Sequence, residues 1–380
     1  MIPYGKQTIE EDDIQAVVAA LRSDWLTTGP LVETFEKLFA DFVGSRHAVA
    51  VSNGTAALHA AMYGLDIKPG DEVIVSPMTF AASANCVVFQ GGTPVFADID
   101  PHTLLIDPKS VEEKITSRTK AIVAVDYAGQ PCDYDVLRKI ALRNNLALVA
   151  DACHSLGAKY KGRNVGTLAD LSVFSFHPVK HITTGEGGMI TTSDENLVKQ
   201  MRIFRNHGIT SDHRQREKER SWFYEMTDLG YNYRLTDFQC ALGISQLAKL
   251  PKWISRRQEI AKHYDEAFST IDGIDPLVLS RDVSHAYHLY VIRVNERKIG
   301  KDRGVVFRSL RSSGIGANVH YIPVHLHPYY RKKFGTGPGQ CPIAESAYEQ
   351  IISLPIFPRM TLVEVNHVIQ AIRKVAELDL

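Results

Sequence analysis

Apolar positions along this chain change their spacing, and the change separates helices from strands. Ile14, Val17, Val18 and Leu21 recur at the interval of one helix face, with Thr8 as the expected cap and acidic residues in the first turn. After the turn-rich stretch Trp25-Leu-Thr-Thr-Gly-Pro30, residues Leu31, Phe35, Leu38, Phe39 and Phe42 predict a second amphipathic helix that Gly44 ends. Short apolar runs follow at 48–51, 72–75, 93–96, 121–125 and 147–150. Helix-like segments near 55–63, 81–89, 110–115 and 134–144 separate them. Strands without polar alternation, divided by helices, predict a parallel sheet covered on both faces. The pattern continues with strands at 171–175 and 189–192 and a helix at 195–205.

Further on, the charge-dense run 213–220 (HRQREKER) reads as a solvated loop, and 235–247 as a helix. Pro251 is expected to open a new long helix reaching about residue 268. This predicts a large domain over 1–250 and a smaller C-terminal α+β domain over 251–380. The latter holds a strand near 289–294, a helix near 300–311, the segment 318–327 and a last helix after Thr361. There is no internal repeat or low-complexity stretch.

Composition narrows the function class. The 380 residues carry 43 basic and 43 acidic side chains, so the chain as a whole has no electrostatic footprint for nucleic acid or an acidic membrane. The five cysteines (Cys86, Cys132, Cys153, Cys240, Cys341) are scattered and form no C-x-x-C pair. That argues against a disulfide framework or a zinc ribbon and suits a reducing cytoplasm. No apolar signal core opens the chain and no run reaches membrane-spanning length, so a soluble cytoplasmic protein without a metal is expected.

Candidate chemistry centres on Ser172–Gly188. Lys180 stands there in an uncharged run framed by Phe174, Phe176, Pro178 and Val179. Burial disfavours an ammonium, and a lysine amine kept neutral can form a Schiff base with a carbonyl. A surface lysine on a loop is the competing reading. Ser175 offers a hydroxyl to a nearby phosphate. Ser52-Asn-Gly-Thr-Ala-Ala-Leu58 follows a strand and opens a helix, which is a seat for a phosphate at Gly54 and Thr55 or simply a packed turn. Asp151 ends a buried strand, where it could hold a protonated ring nitrogen or cap a turn. Phe80, past another strand end, could stack on a flat ring or belong to the core. Asn232 and Arg234, in Tyr231-Asn-Tyr-Arg234, could meet an anion, or the run could serve only helix capping by Thr236 or Asp237. Jointly these supply what one ligand, pyridoxal 5′-phosphate, requires.

With those residues in view, the chain resembles the DegT-type nucleotide-sugar aminotransferases, which have the fold-type I aspartate-aminotransferase architecture. The resemblance runs from Thr27-Thr-Gly29 through S-N-G-T-A-A, D-A-x-H, S-F-x-x-x-K, G-E-G-G and Y-N-Y-R to Val319-His-Tyr-Ile-Pro323. It implies an α/β large domain with a mostly parallel sheet and pyridoxal phosphate as cofactor. Lys180 becomes the Schiff-base lysine and Asp151 the partner of the ring nitrogen. Phe80 stacks on the ring, Gly54, Thr55 and Ser175 hold the phosphate, and His154 stands near the ring hydroxyl. Asn232 is implied to reach the neighbouring subunit's cofactor phosphate in a homodimer with shared sites. The sugar nucleotide is expected near Tyr4, near Asp24, Trp25, Leu26 and Thr27, and near Asn318, Val319, His320 and Tyr321.

Within the family, 176–188 and Val125-Asp-Tyr-Ala-Gly129 are most similar to the UDP-sugar C4 transaminases of the pseudaminic acid pathway. These turn a UDP-4-keto-6-deoxy-N-acetylhexosamine into UDP-4-amino-4,6-dideoxy-N-acetyl-β-L-altrosamine, with L-glutamate as the implied donor. Enzymes that aminate other 4-keto sugars, including a 4-ketopentose, share much of the core. Family members that act as dehydratases carry histidine in place of the lysine, so Lys180 favours transamination. Arg234 is then a candidate for the donor carboxylate or the sugar diphosphate, or for a structural ion pair. A non-catalytic regulator of the same fold is the rival from another class, against which Lys180, Asp151 and Ser175 speak. A dinucleotide-binding oxidoreductase is disfavoured because no G-x-G-x-x-G follows the first strand.

Overall fold

The computed structural model describes residues 1–211 and 213–376. Along the chain come strands β1 (His47–Val51), β2 (Glu72–Val75), β3 (Thr93–Phe96), β4 (Thr119–Val125) and β5 (Ala147–Asp151). After them lie the two-residue strands β6 (Lys159–Tyr160) and β7 (Arg163–Asn164), then β8 (Leu171–Ser175) and β9 (Gly188–Thr192). Seven of these make one sheet in the order β1-β9-β8-β5-β4-β2-β3. All run parallel except β9, which is antiparallel to both β1 and β8. The central strands are buried on both faces, so their sequences show no polar alternation.

The covering helices are α1 (Glu11–Leu21), α2 (Pro30–Val43), α3 (Gly54–Gly64), α4 (Ala82–Phe89), α5 (Pro108–Lys114), α6 (Tyr134–Arg143) and α7 (Glu195–Phe204). The cap of α1 differs from expectation. Glu10 rather than Thr8 starts the helix, in a reciprocal box with Asp13, and the Thr8 hydroxyl is buried without a partner. The run at 213–220, expected as a loop, contains helix α8 (His213–Lys218). Arg216 donates to Ser211 O at 2.6 Å and lies 4.9 Å from the Tyr224 ring, local contacts that no hydrophobic period signals.

Helix α9 (Asp237–Phe268) is continuous through Pro251, where two separate helices were expected. Proline removes one backbone donor, but Leu247, Leu250, Trp253 and Ile254 on either side of it are buried. Packing outweighs the local penalty. The division expected at 250/251 therefore falls inside a helix. Leu250 and Trp253 belong to the hydrophobic cluster of the large sheet, whereas Ile260, Tyr264 and Phe268 belong to a second cluster.

That second cluster is built on β10 (Ile274–Pro276), β12 (Tyr290–Val294) and β13 (Ile351–Leu354), an antiparallel sheet in the order β10-β12-β13. Strand β11 (Val283–Ser284) instead joins β6 and β7. Helices α10 (Glu296–Ile299), α11 (Arg303–Ser312), α12 (Pro328–Phe334), α13 (Pro342–Tyr348) and α14 (Leu362–Ala376) complete the chain. The N-terminus crosses to this side: Ile2 bridges to Ile315 and accepts a hydrogen bond from Gly316 N at 2.7 Å. No helix among the described residues is long and apolar enough to cross a membrane.

Candidate active site

The parallel strands β1, β4, β5 and β8 end at one edge of the sheet, the edge at which α/β folds bind ligands. A cavity of about 780 Å³ opens there. It is lined by Gly54, Thr55, Phe80, Asp151, His154, Ser175 and Lys180, and at the rim by Tyr4, Asn318, Val319, His320 and Tyr321. Twelve positions singled out from sequence thus meet in one place, drawn from the N-terminus, the large sheet and the C-terminal part of the chain.

Local structure explains each placement. Helix α3 points its N-terminus into the cavity, with the Asn53 side chain accepting from Ala56 N at 2.7 Å. The main chain runs so close to β8 that a Cβ at Gly54 would lie 2.9 Å from Ser175 Cβ and 3.2 Å from its Oγ. Only glycine fits, and the result is a seat of free backbone N–H groups beside a serine hydroxyl. Asp151 ends β5 with its carboxylate 6% exposed. Its Oδ2 accepts from Ser83 Oγ at 2.6 Å and its Oδ1 from Cys153 N at 3.3 Å. Ser83 in turn lies 2.6 Å from Thr79 Oγ1, so a short hydroxyl chain fixes the acid.

Lys180 follows β8 in a turn closed by its own N–H to His177 O at 2.9 Å, and it lies half-buried on the cavity floor. Burial lowers its amine below the ordinary lysine value, while Cys153 and Asp151 oppose that shift. His154 is held neutral, well below the usual imidazole range, by burial first and by the neighbouring Lys180 second. Its Nε2 lies 3.2 Å from Tyr321 Oη, and its Nδ1 is buried without a partner. Phe80, by contrast, is 61% exposed, which is unusual for a core phenylalanine and suits a ring that faces a ligand.

The rim is held by long-range contacts. Asn318 and Ser353 exchange backbone hydrogen bonds at 3.1 and 2.8 Å, and His320 Nδ1 lies 2.8 Å from Ser353 Oγ. Tyr127 Oη donates to His320 O. Tyr4 O accepts from Ile356 N at 3.1 Å, and its ring lies 5.1 Å from that of His320.

Six expected residues do not line this cavity. Asp24, Leu26 and Thr27 are exposed and Trp25 is half-buried, in a segment tied to the start of α9: Thr27 bridges to Thr236, and Leu26 O accepts from Asp237 N at 3.0 Å. Asn232 is exposed, bridging to Asn206, and Arg234 donates to Asn206 Oδ1 at 2.9 Å. None of the six is among the residues that line the cavity, although Tyr233, between Asn232 and Arg234, is. Sequence reading also missed Ser83, Tyr233 and His288, all of which line the cavity. Ser83 and His288 stand in no motif quoted above, whereas Tyr233 is the second tyrosine of Tyr231-Asn-Tyr-Arg234, where only Asn232 and Arg234 drew attention.

A family model described as the DegT/DnrJ/EryC1/StrS aminotransferase family matches residues 7–373. The chain belongs to that family. SpsC of Bacillus subtilis, a spore coat polysaccharide biosynthesis protein, is 44% identical over 99% of this chain and 97% of its own length. Among solved structures, Spr1654 of Streptococcus pneumoniae in its PMP form superposes with a TM-score of 0.93, at 33% identity over 99% of both chains. PseC of Helicobacter pylori, an aminotransferase of pseudoaminic acid biosynthesis, gives 0.91, at 34% identity over 98% of both chains. The chain has the fold-type I architecture of these enzymes and is a pyridoxal phosphate-dependent sugar aminotransferase.

The residues present fit that cofactor. An amine of depressed basicity, a buried carboxylate, an outward-facing phenylalanine and a glycine-and-serine anion seat line the same cavity, and the unpartnered Nδ1 of His154 lies at its wall.

Proposed function

We propose that this aminotransferase moves an amino group from L-glutamate to C4 of a UDP-4-keto-6-deoxy-N-acetylhexosamine, giving UDP-4-amino-4,6-dideoxy-N-acetyl-β-L-altrosamine. The observation that carries the chemistry is the half-buried Lys180 at the floor of the cavity that Asp151 and Ser175 also line. The likeness to PseC over nearly the whole of both chains supports the sugar.

In this reading Lys180 would hold the cofactor covalently through its ε-amine, Gly54, Thr55 and Ser175 would bind its phosphate, Phe80 would cover its ring, and His154 would face the ring hydroxyl. Bound pyridoxal phosphate supplies a ring that takes up the electron pair left when the donor loses its Cα proton. Asp151 would pair with the ring nitrogen and keep a proton there, an interaction strengthened by the low dielectric around a buried carboxylate. The freed Lys180 Nζ takes the proton from the donor's Cα. Tyr4, Asn318, Val319, His320 and Tyr321 orient the sugar nucleotide at the rim.

Asn232, Arg234 and the 24–27 segment serve the cavity of a second copy in this account, which makes the working unit a homodimer with shared sites. We assign the reaction to the cytoplasm, in keeping with five free cysteines. A second reading, an amino-sugar transaminase for another nucleotide-linked 4-keto sugar, is favoured by the 44% identity to SpsC. Incubating the holoenzyme with glutamate and a panel of UDP- and dTDP-keto-sugars, followed by mass spectrometry, separates the two. Amination of the pentose or a dTDP-sugar, without the UDP-hexosamine, overturns the first reading.

A further inference from the structure

Lys180 has a near neighbour that none of the roles above uses. Its Nζ lies 3.5 Å from Nε2 of His288, which is 4% exposed. His288 stands two residues before β12, and its segment is hydrogen-bonded to the turn that follows β4. Ala286 N donates to Gly129 O at 2.9 Å and Leu289 N to Ala128 O at 3.1 Å. That approach depends on Gly129, whose φ is +110° and whose Cβ, if present, would lie 2.9 Å from Tyr287 N and 3.0 Å from His288 N. The fold thus reserves space for this one segment to bring an imidazole to the lysine.

The ring has a single polar contact. Its Nδ1 is buried without a partner, and its faces meet His154 and His181 at ring separations of 4.3 and 5.7 Å. An imidazole so placed carries its proton on the nitrogen that has a partner, because a buried N–H left unpaired costs more than an unpaired lone pair. That nitrogen is Nε2, which faces Lys180. The groups around the pair are Asp151 and Cys153 at the end of β5, His154, His181, Arg257 of α9 and His320 of the rim segment. Burial first, then Lys180, hold His288 far below the usual imidazole range, so it is neutral and can donate without being an acid.

We propose that His288 is a positioning residue acting through Lys180: its Nε2–H donates to the lone pair of the ε-amine and holds that amine uncharged over the cavity floor whenever it is not covalently engaged. The proposal rests on the reading of Lys180 as the lysine that takes up the cofactor. A neutral amine is the form that attacks an aldehyde, so His288 sets the fraction of enzyme ready to react at a given pH.

The test uses the cofactor-free full-length protein. Pyridoxal phosphate is added across pH 6 to 10, and the rate of covalent capture is followed by visible absorbance. Borohydride reduction and peptide mapping then locate the bond. In the wild type the label falls on Lys180, and the capture rate rises with pH to a plateau. In His288→Phe the midpoint of that rise moves up by about half to one pH unit, the scale of one lost hydrogen bond. Capture near pH 7 then slows by about three- to tenfold while the plateau rate is kept. His288→Gln, whose amide N–H reaches the same place, returns the midpoint to within about 0.3 unit. If the phenylalanine variant fails to fold, His288→Asn, too short to span the gap, takes its place with the same expected shift. A midpoint that is unmoved or shifted downward in Phe or Asn overturns the role of His288 while leaving Lys180 intact. A wild type whose label lies on another lysine overturns the reading of Lys180 and this proposal together.

Discussion

Replacing Asp126 by asparagine tests how the floor of the site is paid for in stability. Asp126 follows β4, fully buried, and its N–H donates to Asp151 O at 3.1 Å. Its carboxyl accepts from Tyr134 Oη at 2.7 Å, Ser155 Oγ at 2.6 Å and Cys132 N at 2.9 Å. Burial nevertheless pushes it up to about 6 from an ordinary 3.8, because these hydrogen bonds only partly offset desolvation. Below pH about 4 the group is protonated in the folded and unfolded chain alike, and it costs nothing. Between about 4 and 6 the unfolded chain releases the proton while the folded chain keeps it, so stability falls by about 1.4 kcal/mol per pH unit. The whole loss is about 3 kcal/mol and is complete above pH about 6. In the variant the amide oxygen still accepts from Tyr134 and Cys132, and the amide nitrogen donates to Ser155, whose hydroxyl turns to Ala152 O, 3.4 Å away. Asp126→Asn should therefore match the wild type or fall slightly below it at pH 4 and gain relative to it by up to about 3 kcal/mol at pH 7. Denaturant unfolding of cofactor-free protein at four pH values measures this. Taking the difference between the two proteins cancels carboxylates such as Glu36 and Glu72, whose lowered values give the opposite slope. A stability difference that stays flat from pH 4 to 7 would refute the account.

Other expectations concern the site and its scaffold. Lys180→Ala should abolish turnover together with the visible absorbance of the lysine-bound cofactor, read in one spectrum. Asp151→Asn should still bind cofactor but turn over at least about 10²-fold more slowly, as the loss of ~3 kcal/mol of charge pairing requires; steady-state kinetics decide it. Gly54→Ala drives a methyl group to within 2.9 Å of Ser175 Cβ. An overpacking cost of about 1–3 kcal/mol should weaken cofactor binding roughly tenfold or more in an absorbance titration. Glu36 is buried and takes Arg202 at 2.8 Å, Arg205 and Ala50 N. Glu36→Ala should cost about 2–3 kcal/mol in chemical unfolding, since it leaves the half-buried Arg205 without its counter-charge and Ala50 N without its acceptor.

What the sequence disclosed and what it withheld divide along the range of the interactions. That Asp151, Ser175 and Lys180 would share a cavity was legible because the first two end short apolar strands, the third follows one, and a parallel sheet sends such strand ends to one edge. The cradle at Gly54 was legible for a similar reason, a strand running directly into a helix. Ser83 meets Asp151 from 68 residues away and His288 meets Lys180 from 108, and no local pattern marks a serine or histidine for such a contact. Helix α9 hid for the opposite reason. Pro251 carries a strong local signal, and only the burial of Leu250, Trp253 and Ile254 shows that it is overruled. The short strands β6, β7 and β11 lack enough residues to display a period at all.

The site is lined by residues of the large-sheet cluster and tied at its rim to the second one, and this has a chemical consequence. A transaminase admits an amino acid and a keto-sugar in turn to the same floor, so the groups that do chemistry must stay fixed while the rim accepts two shapes. The floor is accordingly built from the large sheet, where Asp151 is held by Ser83 and the 285–289 segment is locked by Gly129. The rim comes from Tyr4 and 318–321: Tyr4, Val319 and Tyr321 pack against the large-sheet cluster, while Ser353, Ile356 and the Ile2–Ile315 bridge tie the same segments to the second one. On the proposed roles, loosening the ties of the rim to Ser353, Ile356 and Ile315 should act on recognition of the sugar before it acts on proton transfer at Lys180. Changes beneath Asp151 or at Gly129 should do the reverse.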